Sequence, residues 1–289
     1  MKTILIPVDF SDHASPTYKF AIKIAGSKNS TQLVLLHSYN DQIMIPDSGM
    51  NTGFDNDTYM NMQLIEEFKQ LAENNMNNLK TEVEKYLADN KLDNYTIKTM
   101  VEGGDPSWEI TSICDDIKPN LIVMGTQGAG KKGILEGSMA KKIMTKAIIP
   151  VIAVPASTNN PNEFKIMYSV NNSDKDFSKI KILFKLFENV PVKIFAVHFQ
   201  LDNKNTENIE HVEGLKHLLA DEMSDNKINF SLINTDDKTD AMEAFVEYNS
   251  INSVAFIAHK SNIFSSLFKH KLSKKDFFNL GLPMIALHE

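Results

Sequence analysis

The 289-residue chain repeats itself, and the repeat confines it to a fold that can be built twice. Residues 4–9, Ile-Leu-Ile-Pro-Val-Asp, are echoed by residues 166–171, Ile-Met-Tyr-Ser-Val-Asn. The run Leu33–His37 matches Lys193–His198 in type, Leu121–Gly125 matches Val254–Ala258, and Pro150–Val154 matches Pro283–Leu287. Gly125 and Pro150 lie 25 residues apart, and so do Ala258 and Pro283. Ordered matches with an equal spacing mean a tandem duplication. Between the copies lies a cluster of turn formers, Pro155–Asn162, which reads as a linker. The expected division is 1–156, a linker over 157–163, and 164–289.

Within each half, short β-branched apolar runs alternate with longer helical patterns. The runs are continuous rather than alternating, as in strands buried on both faces. Strands alternating with helices specify an α/β fold with doubly wound parallel sheets, one per half. A helix is expected over Glu66–Leu87, with Leu71, Met76, Leu79, Val83 and Leu87 on its apolar stripe. The first half carries a long insertion, Asp41–Asn61, with few helix signals. It reads either as a mobile loop near a ligand or as interface padding.

All 30 basic residues are Lys, and the formal net charge is −7. A chain without Arg lacks the bidentate fork that reads phosphate and guanine, and its acidic balance disfavours nucleic acid. No apolar run is long enough to span a membrane. The apolar start is cut short by Asp9, so no secretory leader is expected and a cytoplasmic protein is the default. The single cysteine, Cys114, excludes an internal disulfide and a cysteine-built metal site. It lies in a helical stretch with Ile110 and Ile113 and reads as a small buried hydrophobe.

The chemistry concentrates after the run Leu121–Gly125. Five glycines fall within the 13 residues from Gly125 to Gly137, and Ser138 is placed to cap the helix that follows from Met139. Glycines let backbone N–H groups approach a ligand, and a helix N-terminus adds a positive dipole end. The physical reading is a phosphate cradle at the carboxyl end of a parallel strand. Gly125, Gly130 and Lys131 also match most of a P-loop, but Lys132 stands where Ser or Thr would hold magnesium, so that reading is set aside.

These residues resemble the universal stress protein family, here as a tandem member with a degenerate second half. The resemblance rests on Pro7-Val8-Asp9, Gly104-x-Pro106, Leu121–Gly125, Gly128, Gly137-Ser138 and Pro150-Val151. It covers most of residues 1–155 and is weaker over 164–289. The resemblance implies two five-stranded Rossmann-like sheets of the adenine nucleotide alpha hydrolase type, packed as a pseudo-dimer. Val151–Val154 would pair with Met284–Leu287 across it and cover two sheet edges.

The resemblance also implies an adenine nucleotide site, for ATP or else ADP or AMP, with or without Mg²⁺. Pro7, Val8 and Asp9 would hold the adenine side, with the backbone at Ser38 completing it. Met124 and Gly125 would lie along the nucleoside, and Gly128, Gly137 and Ser138 would donate to phosphates, with Met139 just beyond. Eight residues separate Gly128 from Gly137 where the family pattern has nine; either Gly130 compensates or the grip on phosphate is altered. In the second half Asn171 replaces the aspartate, and His259–Ser266 contains no glycine. The run Lys269–Lys275 reads as a solvated helix face, with anion binding the alternative.

The resulting expectation is a nucleotide-binding signalling module in a stress response. It would act through intramolecular pairing of its halves or as a homodimer, with an unnamed protein partner, no nucleic acid and no membrane. Two alternatives stay open: a slow ATP hydrolase or phosphotransfer enzyme using Asp9 and Ser138, and a nucleotide-free interaction scaffold. His37 and His198, at equivalent strand ends, are read as structural, and Asp115-Asp116 as a solvated helix end. Ser11 and Asp12 are read as caps of the first helix, and Trp108 as core or pocket rim.

Overall fold

The computed structural model describes residues 1–11, 14–39, 41, 54–126, 138–170, 174–200, 206–258 and 281–288. In the first half the order is β1 (Lys2–Pro7), α1 (Ala14–Ala25), β2 (Thr31–Tyr39), α2 (Phe54–Asp89), β3 (Tyr95–Gly103), α3 (Pro106–Ile117), β4 (Leu121–Gly125), α4 (Ser138–Lys146) and β5 (Val151–Val154). The second half gives β6 (Phe164–Ser169), α5 (Asp176–Leu186), β7 (Val192–Gln200), α6 (Thr206–Leu218), α7 (Ala220–Ser224), β8 (Ile228–Asn234), α8 (Lys238–Tyr248), β9 (Ser253–Ala258) and β10 (Met284–His288).

The strands form one sheet in the order β3-β2-β1-β4-β5-β10-β9-β6-β7-β8. Each half is a parallel five-stranded unit, and the second half runs through the same order in reverse. The halves join edge to edge through β5 on β10, the only antiparallel pair among the described strands. Its register sets Ala153 against Met284, Ile152 against Ile285 and Val151 against Ala286. The pairing expected from the sequence is therefore present, and it fuses the two sheets into one. Each edge strand hides its unpaired backbone groups against the other.

Continuous apolar strands follow from this layering. Ile4, Ile6, Leu33, Leu35, Leu121 and Val123 point to one face, under α1 and α2. Leu5, Val34, Leu36, Ile122 and Met124 point to the other, under α3 and α4. Neither face meets water, so both sets must be apolar. The α1 side continues across the junction: Phe20 meets Phe164 edge-on at 5.6 Å, and Phe164 meets Phe187 at 4.9 Å. Asn189 donates its Nδ2–H to the Ala25 carbonyl at 2.7 Å. On the opposite face, a His288 ring nitrogen lies 2.7 Å from the Met144 carbonyl.

Two expectations about α2 are corrected. The helix starts at Phe54, so residues 54–61 of the insertion are helical rather than loop; residues 42–53 lie outside the described set. Leu71 is 58% exposed, and Ala72, 3% exposed, takes its place on a stripe continued by Met76, Leu79, Val83 and Leu87. A leucine drew the register one residue off, because the stripe tolerates a small side chain where the helix first reaches the sheet. The other minor readings divide. Asp115 and Asp116 are exposed, as expected. Cys114 is half-buried, and burial pushes its thiol up to about 11. Trp108 is 64% exposed and belongs to neither core cluster.

Candidate adenine-nucleotide site

In the first half β1 lies between β2 and β4, and the chain leaves β1 on one side of the sheet order and returns on the other. A crevice opens outside the carboxyl ends of strands at such a reversal. A cavity of about 250 Å³ occupies it. Its floor comes from the strand ends: Pro7 of β1 with Val8 and Asp9 after it, Leu36, His37 and Ser38 of β2, and Met124, Gly125 and Thr126 at β4. Its walls come from the first turns of three helices: Ala14 and Thr17 of α1, Pro106 and Ile110 of α3, and Met139 and Ala140 of α4.

Local sequence explains how these turns are set. Asp105 caps α3, its Oδ1 accepting from the backbone N–H groups of Ser107 and Trp108, both at 3.0 Å. The Ser107 hydroxyl, then the Trp108 N–H, hold that carboxyl below its ordinary value. Pro106 opens the helix without wasting an N–H. The turn after β1 is tighter. Phe10 takes a left-handed backbone at φ 58°, which is uncommon for an aromatic residue. The Asp9 carboxylate accepts from the Ser11 hydroxyl at 2.6 Å and from the Ser11 N–H at 3.1 Å. The Ala14 N–H then reaches back to the Ser11 carbonyl. Ser11 thus shapes the entry to α1 through Asp9 and its own carbonyl; Asp12 lies outside the described residues.

His37 is anchored and also lines the cavity. Its Nδ1–H donates to the Val8 carbonyl at 2.8 Å, and its ring lies 4.2 Å from that of Phe10. Burial lowers its pKa, partly offset by the Val8 bond and by Asp9. The structural reading of His37 therefore gains a second role as pocket wall. The Ser38 hydroxyl donates to the Gly104 carbonyl at 2.7 Å, tying β2 to the turn before α3.

Seven sequence-derived candidates meet in this cavity: Pro7, Val8, Asp9, Ser38, Met124, Gly125 and Met139. Gly128, Gly130 and Gly137 lie outside the described residues. Ser138 is the first helical residue of α4 rather than the residue before it. Sequence reasoning missed Ala14, Thr17, Ile110, Thr126 and Ala140. The signal available for the first two was their spacing of three at the start of a helix that follows the site aspartate.

The repeat shows what these positions do. β1 and β6 start at Lys2 and Phe164, α1 and α5 at Ala14 and Asp176, a constant offset of 162. Asp176 therefore stands where Ala14 stands, and Lys179 where Thr17 stands. Asp176 is fully buried; its carboxylate accepts from the Tyr168 hydroxyl at 2.5 Å and lies 3.1 Å from His211 Nε2. Lys179 donates to the His288 carbonyl. Where the first half has two small side chains, the second half has the buried Asp176, held by Tyr168 and His211, and Lys179, held by a backbone carbonyl. His198 repeats the His37 anchor, its Nδ1–H on the Val170 carbonyl at 3.1 Å.

The model of the "Universal stress protein family" matches residues 1–155. The chain belongs to the universal stress protein family. The universal stress protein MJ0577 of Methanocaldococcus jannaschii is 28% identical over 166 residues, covering 53% of this chain and 94% of that protein. A universal stress protein from Archaeoglobus fulgidus superposes over 99% of this chain and 96% of its own, with a TM-score of 0.60 at 16% identity. The protein PA1789 of Pseudomonas aeruginosa, described as functionally unknown, gives 0.58 at 13% identity over 100% and 92%. The last two show that the fold of the whole chain, both halves included, is one found in solved structures.

Proposed function

We propose that the first half binds an adenine nucleotide in the crevice between the ends of β1 and β4, and that the chain works as an ATP-binding sensor in a stress response. The observation that carries this is the slot itself. Its sides are apolar, from Val8, Leu36, Ile110, Met124 and Met139, which suits a flat base. Asp9 stands at the slot as a carboxylate acceptor for an exocyclic amine. The N-termini of α1, α3 and α4 surround it, and such ends favour an anionic ligand. A volume of about 250 Å³ lies just below the usual range of ligand pockets, a size that suits a nucleoside rather than a whole triphosphate.

Phosphates would extend toward Gly128, Gly130, Gly137 and Ser138, whose backbone donors would hold them, and a Mg²⁺ would neutralise part of their charge there. In this reading the described residues bind and orient, and Asp9, already bonded to Ser11, is a recognition group rather than a base. The domain division 1–156 and 164–289 belongs to the same proposal, with the second half as a structural partner. Among the described residues no helix is long and apolar enough to cross a membrane, and a cytoplasmic site of action goes with the nucleotide reading.

The test is direct. Protein purified without added nucleotide is heat-denatured, and the supernatant is examined by mass spectrometry. ATP, ADP or AMP released in proportion to protein supports the proposal. No nucleotide, together with no heat on titrating all three, removes it.

A further inference from the structure

His37 has two ring nitrogens, and the fold uses one of them. Its Nδ1 lies 2.8 Å from the Val8 carbonyl, and a carbonyl only accepts, so the proton of the neutral ring sits on Nδ1. Burial holds the ring below its ordinary 6.5, outweighing the Val8 bond and the Asp9 charge that act the other way. The ring is then neutral at pH 7, and Nε2 carries a bare lone pair.

Among the described residues nothing takes up that lone pair. The ring makes two directed contacts, the Val8 bond and the Phe10 ring at 4.2 Å, and both leave Nε2 unbonded. Nε2 is not sealed either: it is not one of the buried polar atoms that lack a partner. An acceptor that is neither bonded nor sealed is open to whatever enters beside it. His37 lines the nucleotide crevice, and Nε2 belongs to the side of the ring remote from the strand backbone.

The ring is held from two directions. The Val8 bond fixes its edge, and Phe10, in a left-handed backbone at φ 58°, lies against its face. A ring already fixed loses little further freedom when a ligand binds. The charge around it is simple. Asp9, from the turn after β1, is the charged residue of the crevice lining, and α1, α3 and α4 bring uncharged side chains to it. On the other side of His37, a cavity of about 350 Å³ adds the Tyr39 hydroxyl from β2 and uncharged side chains from α2.

We infer that His37 grips the ligand of the crevice: its Nε2 accepts a hydrogen bond from a donor of the bound nucleoside, an amine N–H or a ribose hydroxyl, and releases it when the ring takes a proton. This rests on the nucleotide reading above and adds a second acceptor beside Asp9, one that makes binding depend on pH. An imidazolium has N–H at both nitrogens and accepts nothing. The bond is therefore complete while the ring is neutral and is lost as falling pH protonates it.

The probe is adenosine, which carries no phosphate to titrate, added calorimetrically to the full chain between about pH 7.5 and about pH 5. Its affinity is expected to hold steady down to about pH 6.5 and to fall about threefold or more by about pH 5. His37→Gln brings an amide oxygen to the Nε2 position. It is expected to bind within about threefold of the unmodified chain at about pH 7.5, without the acid loss. His37→Asn keeps an N–H for the Val8 carbonyl and leaves nothing at Nε2. It is expected to bind roughly tenfold more weakly, with no acid loss. Anchoring alone predicts the opposite order, with binding kept in His37→Asn and lost in His37→Gln. Purine riboside lacks the amine and 2′,3′-dideoxyadenosine the ribose hydroxyls, and the acid loss is expected to vanish with whichever of them lacks the donor. A level profile in the unmodified chain, the same acid loss in His37→Gln, or the anchoring order overturns the inference and leaves the nucleotide reading standing. So does an acid loss kept by both analogues, or adenosine failing where AMP binds. Failure of both adenosine and AMP to bind removes the nucleotide reading and this inference with it.

Discussion

Gly26 ends α1 at the junction of the two halves and tests how rigid that junction is. Its φ is +67°, and a Cβ built there would stand 2.5 Å from the Cβ of Asn189 in the other half. In Gly26→Ala three effects combine. Holding an L-residue in the left-handed region costs about 1–2 kcal/mol. Moving Asn189 away sacrifices its bond to the Ala25 carbonyl, at 2.7 Å, for about 1 kcal/mol. Stiffening the unfolded chain returns about 0.4–1 kcal/mol. The net expectation is a loss of about 2 kcal/mol, read as a lowered midpoint in urea with an unchanged slope. Asn189→Gly removes both the clashing Cβ and the hydrogen bond. In that background Gly26→Ala should cost only the backbone part, about 1 kcal/mol or less, leaving a coupling of about 1 kcal/mol. An equal cost in both backgrounds would refute contact between α1 and the second half as the cause.

Three further outcomes follow from the same geometry. Ala14→Asp with Thr17→Lys copies the second half into the first and should abolish calorimetric nucleotide binding while the urea transition stays cooperative; retained binding would mean that these walls do not bound the ligand. His37, His198 and His288 are all held below 6.5, first by burial. The unfolded chain then binds protons that the folded chain refuses, so their contribution is complete above 6.5 and is lost as pH falls through it toward the lowered folded values. The urea midpoint should drop from about pH 7.5 to about pH 5.5, less steeply in His288→Gln, and a flat profile would contradict the burial of these rings. Ile152→Ala, fully buried at the middle of the β5–β10 pair, should cost roughly 2–5 kcal/mol, and a cost below about 1 kcal/mol would show that the junction contributes little.

The fold was legible because the chain spells its strands twice. Ile4–Ile6 and Ile166–Tyr168 are apolar on both faces because both faces are covered, and that pattern needs no long-range information. The β5–β10 junction was legible too, since two apolar final strands without other neighbours need each other. The start of α2 was not. Phe54–Asn61 is rich in polar residues of low helix propensity, and helicity there owes more to continuation from the packed part of the helix than to local preference. The site was half legible. Asp9, Met124 and Gly125 belong to short motifs; Ala14, Thr17 and Ile110 matter through the space they leave, which no motif records. Comparing them with Asp176 and Lys179 supplies the missing contrast, and it requires the helix starts to be aligned through the structure.

The most direct test of the account is the number of nucleotides bound per chain. Calorimetric titration of ATP and AMP into protein stripped of nucleotide should give one site per 289-residue chain, lost when Ala14 is replaced by Asp. Two sites per chain, or one that survives Ala14→Asp, would contradict the assignment of binding to the first half with Ala14 as a wall of the site.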